Sequence, residues 1–92
     1  MTEVITERKI EGQSAVGGGE EKSLVVYNDD FNTIEYVIEI LMRVCRHNPQ
    51  QAEQCTLLIH HKGKCAVRHG DFEFLKPMKD AICDAGIKAV IE

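Results

Sequence analysis

Asn28, Asp29 and Asp30 stand in a row at the end of the apolar run Val25-Val26-Tyr27, and a stretch with helical periodicity follows at once. Polar groups held between a strand and a helix cannot wander, so Asn28 and Asp29 can present acceptors to a ligand in one geometry. That is what a recognition site needs. His60 stands at the end of a second helical stretch. From spacing alone, Asn28, Asp29 and Asp30 can equally turn the chain and satisfy a helix N-terminus, and His60 can equally face a helix dipole.

Two other chemistries use the same residue types. Paired acids after a strand also bind Mg²⁺ in phospho-acceptor domains. Those domains need a further Asp, a later Lys and a larger parallel sheet with strands spaced by single helices. Cys55, His60, His61 and Cys65 invite a zinc reading, but their spacing matches neither CxxC nor HxxxH. No cofactor and no metal are therefore expected.

The elements that must position the corner follow from periodicity. Leu24–Tyr27 reads as a strand. A first helix starts near Thr33, with Asn32 or Thr33 as its N-cap and Glu35 at capping-box spacing from Asn32. Val37, Ile40, Leu41 and Val44 recur at i, i+3, i+4 and i+7, and so form one buried stripe. Asn48-Pro49 restarts the chain as cap and first helical residue. This second helix runs to about His60, with Ala52, Cys55, Leu58 and Ile59 inward, and Gly63 stops it.

Lys64–Arg68 reads as a strand and His69-Gly70-Asp71 as a turn. A third helix then buries Phe72, Leu75, Met78, Ile82 and Cys83, with Pro77 making its first turn irregular so that the regular part begins near Lys76. Gly86 closes that helix, and Ile87–Ile91 is the last strand. His47, His61 and His69 are read as surface residues. The expected fold class is α+β: a single small domain, strand-helix-helix-strand-helix-strand, with three helices packed on a short antiparallel sheet.

The chain has 92 residues, 43% hydrophobic and 28% charged, ordinary values for one globular domain. Residues 1–22 are polar and broken by Gly12 and Gly17-Gly18-Gly19, so they read as a flexible N-terminal arm ahead of a domain over residues 23–92. A net charge of −4 argues against nucleic acid as the main partner. No apolar run approaches the about 18 residues of a membrane span, and Met1–Gly12 lacks the apolar core of a secretory signal. The four cysteines, with no CxxC pair, are read as reduced thiols of a cytoplasmic protein.

Three blocks, Tyr27 to Val37, Gln51-Ala52-Glu53-Gln54 and Ile59-His60-His61-Lys62-Gly63-Lys64, resemble the ClpS family of Clp protease adaptors, and the resemblance spans Val25 to Glu92. It implies a protein that is not an enzyme, one that binds the first residue of a substrate and passes it to a Clp AAA+ unfoldase of ClpA or ClpC type. Carried over residue by residue, it assigns Asn28, Asp29 and His60 to the substrate's α-amino group. It assigns Asn32, Ile34, Val37, Thr56, Ile59 and Ile87 to an apolar pocket for an N-terminal Leu, Phe, Tyr or Trp side chain. Phe31, Glu35 and Glu73 are assigned to the face that meets the unfoldase's N-terminal domain, and the arm to delivery. Ile34 and Thr56 both stand where the family often has Met. The expected consequence is a pocket that is smaller-mouthed or more polar on one side, one that keeps Leu and Phe and rejects β-branched Ile and Val. Met78, with Lys79 beside it, stands where a basic residue is common.

Overall fold

The computed structural model describes residues 20–92. Six elements follow in the order β1 (Lys22–Tyr27), α1 (Ile34–Cys45), α2 (Pro49–Lys62), β2 (Lys64–Gly70), α3 (Phe72–Asp84) and β3 (Ala89–Ile91). The expected α+β class, element order and antiparallel sheet are all present. The arm expected over residues 1–22 lies outside the described residues except for its end, where Lys22 already belongs to β1.

The sheet is three-stranded and antiparallel in the order β2-β1-β3, so the strand that leads into Asn28 is the central one. Alternation along β1 sends Leu24 and Val26, both fully buried, into the core shared with the helices, while Val25 stands outside that cluster. Val37, Ile40, Leu41 and Cys45 of α1, Ala52 and Ile59 of α2, and Leu75 and Ile82 of α3 complete it.

Each helix begins on a side-chain cap. Thr33 Oγ1 accepts from Tyr36 N at 3.1 Å, Asn48 Oδ1 from Gln51 N at 2.7 Å, and Asp71 Oδ1 from Phe74 N at 2.8 Å. Thr33 rather than Asn32 caps α1, because Asn32 is engaged elsewhere. Gly63 ends α2 at φ 93° and Gly86 follows α3 at φ 91°, positions in the left-handed region that glycine occupies without a Cβ penalty.

Several boundaries and faces differ from expectation. β2 does not turn at His69; it runs on to Gly70, because His69 and Gly70 pair with Ser23 and Lys22. α3 is helical from Phe72 and carries Pro77 inside, the Asp71 cap having fixed its first turn before the proline is reached. α2 continues to Lys62, and β3 begins only at Ala89, two residues after Ile87. On α2 the inward face is Ala52, Thr56 and Ile59; Leu58 points outward, 45% exposed. Phe72 and Cys83 also face solvent.

His47 is a further correction. It is 4% exposed, not a surface residue. The β1–β2 register skips Val67 between the pairs Leu24–Arg68 and Val25–Ala66, a bulge that leaves one residue unpaired. The Val67 carbonyl meets His47 Nε2 at 2.9 Å, and since a carbonyl only accepts, Nε2 carries the proton. The turn between α1 and α2 is thereby fixed to the irregular point of the sheet.

Candidate recognition site

β1 delivers the chain to Asn28, whose backbone N–H donates to the Gly63 carbonyl at 2.9 Å and so ties the strand end to the α2–β2 turn. Asp29 then folds the loop around its own carboxylate. Oδ1 accepts from the backbone N–H groups of Phe31 and Asn32, each at 2.9 Å, and Oδ2 accepts from Asn32 Nδ2 at 2.8 Å. These donors, the Asn32 N–H foremost, hold the carboxyl below its ordinary range against the opposing effect of partial burial.

The Asn32 side chain also donates to the Gly86 carbonyl at 3.0 Å, and Tyr36 Oη to the Ala85 carbonyl at 2.8 Å. These bonds lock the loop after β1 and the first turn of α1 to the turn after α3. Oδ1 of Asp29 is saturated by two donors. Oδ2 has one, which leaves it capacity for another.

Behind this corner lies a shallow open depression. Its apolar lining is Val26, Val37, Ile59 and Ile87, and its polar rim is Tyr27, Asn28, Asp29 and Asn32. Among the residues singled out from sequence, Asn28, Asp29, Asn32, Val37, Ile59 and Ile87 are gathered here. Three others stand off the lining. Ile34 opens α1 half-buried. Thr56 is only 2% exposed, about a turn before Ile59 on α2, and its Oγ1 has no hydrogen-bond partner. His60 is exposed, its ring edge-on to His61 at a centroid distance of 5.2 Å.

Phe31 projects from the same loop at 92% exposure, with Glu35 in the first turn of α1. Glu73 lies in the first turn of α3, and at about 1.5 Å rise per residue that is roughly 18 Å along the helix from the Ala85–Gly86 turn beside the loop. Cys55, His60, His61 and Cys65 are not drawn together: among the described residues no group of three or more His, Cys, Asp or Glu side chains could hold a metal ion.

Sequence reading did not pick out Val26 and Tyr27 as lining residues. Inward alternation along β1 was the available signal for Val26. Tyr27 is set by contacts from afar: its hydroxyl donates to Glu92 Oε2 at 2.6 Å, and Lys64 and Lys88 lie over its ring at 5.6 and 5.1 Å. The hydrogen bond to Glu92 is the main cause that raises the phenol above its usual pKa.

A central strand that ends in anchored acceptors beside an apolar depression defines a small α+β binding module. The ClpS family, described as ATP-dependent Clp protease adaptor protein ClpS, matches residues 19–89, and the chain belongs to that family. It is a family of adaptors, not of enzymes.

Among curated ClpS adapter proteins, that of Nitratidesulfovibrio vulgaris is 39% identical over 46 residues, 48% of this chain and 46% of the relative. That of Campylobacter jejuni is 45% identical over 40 residues, 44% of this chain and 42% of the relative. That of Shewanella pealeana is 44% identical over 41 residues, 45% of this chain and 40% of the relative. The chain thus aligns with less than half the length of these relatives. The fold is also that of Agrobacterium tumefaciens ClpS2 bound to L-phenylalaninamide, with a TM-score of 0.68 and 20% identity over 78% of this chain and 94% of that one. No helix among the described residues is long and apolar enough to cross a membrane.

Proposed function

We propose that this protein binds the free α-amino group and bulky apolar first residue of substrate proteins and delivers them, in the cytoplasm, to the N-terminal domain of a Clp AAA+ unfoldase of ClpA or ClpC type. One observation carries the reading: the Asp29 carboxylate is fixed by three N–H bonds at the rim of an apolar depression. An α-ammonium docks against the spare capacity of Asp29 Oδ2 and the exposed Asn28 amide, and His60 adds an acceptor if its ring swings toward the rim. The side chain of the first residue enters between Val37, Ile59 and Ile87. The Agrobacterium relative's ligand, L-phenylalaninamide, has the same two features, a free amine and an apolar side chain, which supports this assignment.

Charge-assisted hydrogen bonds are worth about 1.5–3 kcal/mol each, so two of them lost to acetylation weaken binding on the order of a hundredfold or more. The test is fluorescence anisotropy with a Leu-initiated peptide, free and acetylated, on wild type and Asp29→Ala. Binding of the free peptide alone, lost in the variant, supports the reading. Equal binding of both peptides refutes it.

Phe31, Glu35 and Glu73 give an exposed aromatic with acids for the unfoldase. In this reading residues 1–22 act in delivery. Their removal leaves peptide binding intact and abolishes degradation by the unfoldase and its peptidase; degradation that persists would refute that role.

A further inference from the structure

The four thiols have different surroundings. Cys45 is fully buried, beyond the reach of small oxidants. Cys83 is exposed on α3, with its Sγ turned to the Ala89 carbonyl at 3.5 Å. Cys55 and Cys65 are both half-buried and pack against the same core cluster. Cys65 lies across from Val26 in the β1–β2 register, and Val26 points into the core, so Cys65 faces the helix side of the sheet. Cys55 stands four residues before Ile59, on the neighbouring face of α2 over β2. Burial, and behind it the adjacent Cys55 thiol, push Cys65 up to about 11.

We propose that Cys55 and Cys65 are a redox modification site, closed to an internal disulfide by a low-molecular-weight disulfide such as oxidised glutathione, which ties α2 to β2 beneath the recognition depression. Cys55 as thiolate attacks one sulfur of the oxidant, and the other leaves as a thiolate with the bonding pair. Cys65 then loses its proton and attacks the Cys55 sulfur, expelling the second thiolate. Two protein thiols are oxidised, one small disulfide is reduced, and the two protons end on the two released thiols.

Bonding brings the sulfurs to about 2 Å and draws α2 toward β2. Ile59 on α2 and Val26, paired with β2, line the depression from those two sides. The depression narrows, and affinity for a bulky first residue falls several-fold. This last effect rests on the peptide-binding reading; the disulfide itself does not.

The test uses the full chain, incubated with oxidised glutathione and mapped by proteolysis and mass spectrometry under non-reducing conditions. The expected result is one linked peptide pair joining Cys55 to Cys65, absent in Cys55→Ser and Cys65→Ser, present in Cys45→Ser and Cys83→Ser, and reversed by dithiothreitol. Thiols that stay free, a glutathione adduct that does not resolve, or a bridge through Cys45 or Cys83 would each overturn the site. With the disulfide formed, Leu-peptide affinity is compared before and after oxidation in wild type and Cys65→Ser. A fall in wild type alone supports the link to recognition. Unchanged affinity removes that link, and failure of the reduced protein to bind any peptide counts against the proposed function instead.

Discussion

Asn32 binds Asp29 twice, backbone N–H to Oδ1 at 2.9 Å and side-chain Nδ2 to Oδ2 at 2.8 Å, and the same amide reaches the Gly86 carbonyl at 3.0 Å. One side chain therefore sets the carboxylate and fastens its loop to the turn after α3, 54 residues on in the chain. Asn32→Ala removes both side-chain bonds and leaves the backbone bonds. It should cost about 1–3 kcal/mol, read by urea denaturation, since one of the bonds goes to a charged group. Peptide affinity should fall as the carboxylate loosens. Wild-type stability in the variant would mean that the loop is held by its backbone alone.

The same contacts give a pH dependence with a definite sign. The folded Asp29 carboxyl is depressed, so its contribution to stability is fully present above the unfolded value of about 3.9 and is lost as pH falls through the lower folded value. The stability difference between wild type and Asp29→Asn should be constant at neutral pH, shrink below about pH 4, and vanish once both side chains are uncharged. A difference that does not change with pH would show that the charge is irrelevant to the loop.

What could be read along the chain was what neighbours in sequence decide. Asn48-Pro49, Asp71 and Gly63 mark helix ends through their own caps and dihedrals, so the element order was legible, and so was the corner at Asn28 and Asp29. The misses came from partners far away in sequence. His69-Gly70-Asp71 has turn composition, but Ser23 and Lys22 supply hydrogen bonds that keep His69 and Gly70 in the strand. The partners Asn32 and Gly86 are 54 residues apart, a pairing with no local signature. On α2, spacing alone puts Leu58 inward, whereas the positions of Ala52, Thr56 and Ile59 over the sheet set the buried face and leave Leu58 outside.

His47 was hidden for the same reason, as its partner is a carbonyl freed by a bulge. His47→Ala should leave that Val67 carbonyl unpaired and open a cavity at the α1–α2 turn. The expected loss is about 2–4 kcal/mol in chemical denaturation. His47→Gln, which keeps a donor, should recover part of it. A loss within about 0.5 kcal/mol, the range of an ordinary surface substitution, would mean that the contact carries no stability.

Pro77 lies in the interior of α3 without the N–H that would reach the Glu73 carbonyl. Restoring that donor with Pro77→Ala should stabilise the helix, offset in part by the greater freedom of the unfolded chain. The net expectation is about 1–2 kcal/mol, or roughly 4–8 °C in Tm per kcal/mol for a domain of this size. A lower Tm would mean that the ring's packing outweighs the missing bond.

Thr56 carries a buried hydroxyl with no partner, about a turn before Ile59 on the wall of the depression. A buried polar group that bonds to nothing is a cost of about 1–3 kcal/mol, and valine has nearly the same shape without it. Thr56→Val should therefore raise stability by about 1 kcal/mol, the low end of that cost, read by urea denaturation. In the adaptor reading it should also make the pocket more uniformly apolar, so that peptides beginning with Leu gain on those beginning with Tyr in paired anisotropy titrations. A destabilised variant would show that the hydroxyl has a partner, such as the Ala52 carbonyl one turn back on α2. Higher stability with an unchanged Leu-to-Tyr ratio would separate the two roles: Thr56 would then be a strained core residue that the first residue of a substrate never meets.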